Sequence, residues 1–161
     1  MNEHLTRILK IVSYVVLLFC ACWFAYLCYQ SYHDAFSPTG NHIHWEAKYT
    51  LVRFVSIVFF LYNLLTIALI AMCFWFFINI LKGIRQEEPF PKKNVMIIFV
   101  ASILIFLQTI ASDNYNQIFI SEGPAVIGLS SNPFVQALVL IVFGVIYKIA
   151  SLVAAEHDLT V

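Results

Sequence analysis

The chain has 161 residues, with nine basic and nine acidic side chains and a formal net charge of zero. It is 61% hydrophobic and 11% charged, whereas soluble domains are about half apolar and about a quarter charged. Disorder is excluded by fifteen Phe, eight Tyr and three Trp, because disordered chains are poor in aromatic residues. A nucleic-acid-binding protein is excluded because it would present a basic face. The composition predicts one integral membrane domain over residues 1–161.

Four apolar stretches are long enough to cross a bilayer, whose hydrocarbon core of about 30 Å needs about 20 mostly apolar helical residues. In chain order they run from about residues 8 to 29, 54 to 81, 95 to 111 and 134 to 155. The first is too long for a usual signal-peptide core and has no A-x-A site after it. Transmembrane strands would alternate in polarity, and these stretches do not. The sequence therefore predicts an all-α four-helix transmembrane bundle.

Lysine and arginine are distributed unequally between the two sides of this predicted bundle. The loop between spans 1 and 2 carries Lys48 and Arg53, and the other side carries the remaining seven of the nine: Arg7, Lys10, Lys82, Arg85, Lys92, Lys93 and Lys148. Since cytoplasmic loops hold the excess of Lys and Arg, both termini and the loop between spans 2 and 3 are predicted to lie in the cytoplasm.

The first outer loop contains the side chains best suited to a metal ion. His33, Asp34, His42, His44 and Glu46 lie close together in the sequence, and His-x-His places two imidazoles on one side of an extended segment. Zinc or copper is one interpretation. The spacing matches no fixed metal-binding pattern, so we expect a solvated loop without metal or cofactor.

The spans themselves contain little that could carry chemistry. The cysteines lie in apolar runs and are predicted to pack as small hydrophobic side chains; they are Cys20, Cys22, Cys28 and Cys73. No phosphate loop, nucleophile elbow or zinc-protease motif occurs in the sequence. The sequence therefore predicts that the protein is not an enzyme.

Polar side chains within the predicted spans are few and mostly uncharged. Lys148 lies near one end of the fourth span, where its long stem can reach the headgroups. Asn63 and Gln108 are expected to hydrogen-bond neighbouring helices, and the alternative is contact with a ligand. The absence of Asp and Glu from the span cores weighs against a proton-coupled carrier.

Two segments on the predicted cytoplasmic side resemble a known family. Residues 88–95 have the sequence EPFPKKNV, and residues 155–161 have the sequence AEHDLTV. They are similar to the bacterial membrane proteins grouped as domain of unknown function 2975, although that family often has Gly at the position of Glu87. The resemblance implies four spans and a regulatory or stress setting, since such proteins are often encoded beside a small helix-turn-helix regulator. It implies no established activity.

The two family-like segments are predicted to meet in one cytoplasmic interaction patch. Acidic residues at the end of the last helix oppose its macrodipole, and the nearby loop offers four cations. The patch comprises Pro89, Phe90, Asn94, Glu156, Asp158, Leu159, Thr160 and Val161. The alternative is a solvated tail.

We therefore expect a non-enzymatic bacterial inner-membrane protein. It would act in the lipid bilayer through a protein partner, as a sensor, an immunity factor or an accessory subunit. The alternative is a small transporter or channel component that works as a homo-oligomer. A metal-handling protein or an enzyme that uses the histidine loop is the third hypothesis.

Overall fold

A computed structural model of the protein describes residues 3–36, 49–86, 88, 90–115, 128, 130 and 132–159. These residues form four α-helices: α1 (Glu3–Phe36), α2 (Tyr49–Arg85), α3 (Lys93–Tyr115) and α4 (Asn132–Leu159). Each helix contains a stretch long and apolar enough to cross a membrane. The predicted all-α four-helix bundle is confirmed, and the chain has the architecture of a multi-pass membrane protein.

Every helix extends beyond the span predicted for it, because the prediction counted apolar residues whereas a helix continues through polar flanks. His33 and Asp34, assigned to the first outer loop, lie in the last turn of α1. Pro91 lies two residues before Lys93, where α3 starts. Its carbonyl accepts a hydrogen bond from the Asn94 N–H at 2.9 Å.

The helices pack in chain order, α1 on α2, α2 on α3 and α3 on α4. Within the described residues, the backbone of α1 closely approaches only α2, and the backbone of α4 closely approaches only α3. Their outward faces are therefore exposed and apolar, with Leu18 and Phe19 on α1 and Leu138 and Val139 on α4 as examples. In a bilayer these faces would contact acyl chains or another protein.

Small side chains allow close packing between neighbouring helices. A Cβ on the buried Gly144 of α4 would lie 3.2 Å from Ile98 Cγ2 of α3. Cys20 of α1 is buried with Leu27 and Ile70, and Cys73 packs against the same cluster. The cysteines are free thiols, and this packing confirms the predicted role of Cys20 as a small hydrophobic side chain.

The bundle has two distinct ends. We call the end that carries Lys82, Lys92 and Lys93 the basic end; α1 and α3 begin there, and α2 and α4 end there. At the opposite end, the Tyr115 hydroxyl of α3 donates to Asp34 Oδ2 of α1 at 3.0 Å, and the Tyr115 ring lies 4.4 Å from the ring of Tyr62 on α2. These side chains connect α1 to α3 across α2.

Polar side chains in the spans are paired between helices. Ser31 Oγ donates to Asn63 Oδ1, Gln108 Nε2 to Thr66 Oγ1 at 3.4 Å, and Thr109 Oγ1 to Gln136 Oε1 at 2.9 Å. The predicted role of Asn63 and Gln108 as bridges between helices is confirmed. In the described part of the chain, every buried side-chain nitrogen and oxygen has a hydrogen-bond partner.

Candidate functional site at the basic end

A cavity of about 550 Å³ opens at the basic end of the bundle, where the connection from α2 to α3 meets the last turns of α4. We call it the basic-end cavity. Its walls combine cationic, amide and aromatic side chains: Trp75, Asn79, Lys82, Gly83, Gln86, Glu88, Phe90, Pro91, Lys92, Lys93, Ser151 and Ala154. Such a lining is suited to a polar or anionic group.

Gly83 allows the chain to turn sharply after α2. Its carbonyl accepts hydrogen bonds from the N–H groups of Gln86 at 3.0 Å and Glu88 at 2.8 Å, which satisfies a carbonyl in the last turn of the helix. A Cβ at this position would lie 2.1 Å from the backbone oxygen of Glu88 and 2.9 Å from Pro91 Cγ. The connection can therefore follow this path only with glycine at position 83.

Asn94 joins three helices behind the cavity and is completely buried. Its Nδ2 donates to the Phe76 carbonyl of α2 at 3.1 Å and to the Tyr147 hydroxyl of α4 at 3.3 Å. Its Oδ1 accepts from Asn79 Nδ2 of α2 at 2.9 Å. One amide in the first turn of α3 therefore links α3 to both α2 and α4.

Aromatic rings surround this amide and attach the connection to the bundle. The Tyr147 ring lies 5.6 Å from Phe76 and 5.8 Å from Phe90, the latter edge to face. Tyr147 is buried, and Phe90 is half-buried. Edge-to-face ring pairs add about 0.5 to 1.5 kcal/mol beyond the area they bury, so Phe90 holds the connection against α4.

The charges of the cavity are predominantly positive. Lys82, Lys92 and Lys93 are exposed and line it together with one acid, Glu88. None of the three lysines forms an ion pair with another described residue. Lys82 lies in the last turn of α2, where the helix dipole favours a cation, whereas Lys93 begins α3, where it does not. Counted over the residues that the structure describes, the cavity has a surplus of positive charge.

A second, apolar cavity of about 580 Å³ runs between α1 and α2. We call it the α1–α2 groove. Its walls are almost entirely hydrocarbon, and its lining residues are Cys20, Ala21, Phe24, Ile67, Ile70, Ala71, Phe74, Trp75, Ile78 and Lys82. Trp75 and Lys82 line both cavities, so the groove meets the basic-end cavity at Lys82.

The structure brings two of the predicted patch residues together. Phe90 and Asn94 both contact Tyr147, and Asn94 uses its amide inside the bundle rather than on the surface. Pro89 and residues 160–161 lie outside the described residues. Glu156, Asp158 and Leu159 continue the backbone of α4, and their side chains lie outside the described part. Docking of the tail therefore stays a prediction.

Several residues of the site were missed by the sequence analysis. Asn79 and Ser151 interrupt apolar runs, and this interruption could have indicated that they face an interior polar site. Gly83 at a helix end indicates a turn, but its contact with the Glu88 backbone does not follow from the sequence. Tyr147 carried no signal, because it is one aromatic residue among many in an apolar helix.

Of the histidine-loop residues weighed as metal ligands, His42, His44 and Glu46 lie outside the described residues, so the expectation of a loop without metal stays a prediction. His33 Nδ1 lies 3.7 Å from Asp34 Oδ1. Among the described residues no group of three or more His, Cys, Asp or Glu side chains could hold a metal ion.

No family model, curated protein or solved structure matches this chain. The resemblance of residues 88–95 and 155–161 to the family of domain of unknown function 2975 therefore stays a hypothesis.

Proposed function

We propose that this chain is a non-enzymatic protein of the bacterial inner membrane that acts by binding a protein partner at its basic end. The observation that carries the proposal is the surplus of lysine, which forms no ion pair among the described residues, around a cavity whose wall residue Asn79 is hydrogen-bonded to the buried Asn94. A fixed cationic surface favours a partner with a complementary acidic surface. The resemblance of residues 88–95 and 155–161 to a family linked with regulators favours a regulatory or stress role, and an immunity role also fits a protein that acts through contacts.

The paired polar groups of the spans support a contact function over transport. A permeation path needs polar groups that face a shared passage. Here the polar pairs join one helix to the next, as Ser31 with Asn63 and Thr109 with Gln136 do. Such bonds stabilise the bundle.

Site-directed photo-crosslinking in native membranes tests the proposal. A photoreactive amino acid in place of the exposed Gln86, which lines the basic-end cavity, should give a discrete protein adduct. The charge reversal Lys92→Glu should reduce that adduct at least tenfold, whereas Lys10→Glu on α1 should leave it unchanged. The same photoreactive group at Val139, on the outward face of α4, should give no discrete adduct.

Equal adducts from positions 86 and 139, or none at either, would contradict a partner at the basic end.

The exposed apolar faces of α1 and α4, whose described backbones each closely approach one other helix, favour a second candidate function. This is a small transporter or channel component that assembles with copies of itself. An adduct of twice the chain mass from position 139 would favour that candidate.

The predicted tail docking gives an independent expected result. Ser151 and Ala154 of α4 line the basic-end cavity, so the tail that follows begins beside it. Deleting residues 156–161 should lower the melting temperature in detergent, and Leu159→Asp should have nearly the same effect. Burial of one such apolar side chain contributes about 1.5 to 3 kcal/mol, whereas an exposed ion pair contributes about 0 to 1 kcal/mol. High salt should therefore matter little.

Leu159→Met is the matched control for the tail, because it keeps an apolar side chain of similar volume. Two results together would show that the tail is not docked. The deletion would leave the melting temperature unchanged, and a spin label at position 160 of the full-length protein would be as mobile as one on a free peptide.

A further inference from the structure

We propose that the α1–α2 groove and the basic-end cavity together bind one anionic phospholipid. An acyl chain lies in the groove, and the headgroup phosphate lies among Lys82, Lys92 and Lys93. This site goes beyond the proposed protein contact and does not depend on it.

The groove has the length and lining that an acyl chain requires. Its α2 wall runs from Ile67 to Lys82, a distance of about 22 Å at the helical rise of 1.5 Å per residue. One leaflet contributes about half of the 30 Å hydrocarbon core, so the groove extends through the depth of a leaflet. Ala21 and Ala71 are small side chains in its walls and leave room between the two helices.

The change from an apolar to a cationic lining occurs where a lipid changes from chain to headgroup. Trp75 and Lys82 line both cavities, and tryptophan and lysine are enriched at the membrane–water interface. A lysine at this depth can extend its ammonium group toward a phosphate while its stem stays along the groove.

The charge of the headgroup site selects an anionic lipid. Three lysines and one acid, Glu88, line the basic-end cavity, and within the described residues the lysines form no ion pair. Basic pockets between transmembrane helices on the cytoplasmic side bind anionic headgroups. The Lys and Arg distribution predicts that this end faces the cytoplasm, whose leaflet carries the anionic lipids.

Native mass spectrometry of the purified full-length protein tests the site with defined lipids. One phosphatidylglycerol per chain should remain bound at concentrations where phosphatidylcholine does not. The triple variant Lys82→Gln, Lys92→Gln, Lys93→Gln should bind phosphatidylglycerol roughly a hundredfold more weakly, since each lysine near an anionic lipid contributes about fivefold. Inorganic phosphate alone should neither bind nor displace the lipid at millimolar concentration.

Two further variants separate a specific site from general attraction of charge. Arg7→Gln, Lys10→Gln and Lys148→Gln together remove the same charge elsewhere and should leave binding within about twofold. Ala71→Phe places a ring in the groove without a change of charge, and the exposed position of Ala71 lets the helix tolerate it. This variant should weaken binding at least tenfold.

Equal retention of the two lipids, an equal loss in the two charge variants, or full binding by Ala71→Phe would each overturn the proposal. Displacement of the lipid by inorganic phosphate would show that the site binds a free anion and would contradict the proposed lipid site. Because the protein is purified without a partner, these outcomes are independent of the photo-crosslinking result.

Discussion

Replacing Asn94 with alanine is expected to lower the free energy of unfolding by about 2 to 5 kcal/mol. The substitution removes three hydrogen bonds, and each such bond within a membrane contributes about 0.6 to 1.7 kcal/mol. The buried Asn94 amide bonds to Asn79, to the Phe76 carbonyl and to the Tyr147 hydroxyl. Alanine would leave all three groups without this partner. Unfolding by titration with sodium dodecyl sulfate, followed by circular dichroism, measures the change.

Gln108→Ala and Tyr147→Phe are the controls for this prediction. Gln108 makes a single bridge of 3.4 Å to Thr66, so its loss should cost at most about 1.7 kcal/mol. Tyr147→Phe removes one of the three bonds of Asn94 and keeps the ring between Phe76 and Phe90, so its effect should be similar to that of Gln108→Ala and smaller than that of Asn94→Ala. If Asn94→Ala costs no more than Gln108→Ala, Asn94 does not organise the basic end.

Gly83→Ala is expected to destabilise the protein by about 1 to 3 kcal/mol, the usual cost of overpacking. In an ordinary helix interior the same change stabilises by up to about 1 kcal/mol. Here the new Cβ would lie 2.1 Å from the Glu88 backbone oxygen and 2.9 Å from Pro91 Cγ. A backbone oxygen cannot rotate away as a side chain can, so the connection itself must shift. Thermal unfolding in detergent measures the stability.

Gly144→Ala is the matched control, because its Cβ would meet side chains rather than backbone. The nearest atom is Ile98 Cγ2 at 3.2 Å, followed by the Phe99 ring at 3.4 Å. A movement of a few tenths of an ångström relieves these contacts, so the variant should lie within about 1 kcal/mol of the parent. A Gly83→Ala protein as stable as Gly144→Ala would mean that Glu88 and Pro91 do not lie against Gly83 as described.

The residue types and lengths of the apolar runs were sufficient to predict the class of this protein. Four stretches of about 20 apolar residues fit a bilayer as helices, because a helix satisfies its own backbone N–H and C=O groups where no water is present. The bridging roles of Asn63 and Gln108 could also be predicted, since an amide in an apolar helix requires a partner. The ends of the helices were harder to predict from the sequence, since α1 continues through the polar residues His33 and Asp34.

The neighbours of each helix, and the site they form, were decided only by the tertiary structure. Asn94 follows a loop of prolines and lysines, so its sequence context placed it on a surface, yet three helices enclose it. In a soluble protein the apolar face of a helix indicates its interior side. In a membrane the lipid-facing side is apolar too, so the sequence of α2 or α4 carries little information about which face meets a neighbour. The close approach of Gly83 to Glu88, and the meeting of groove and cavity at Lys82, result from that packing alone.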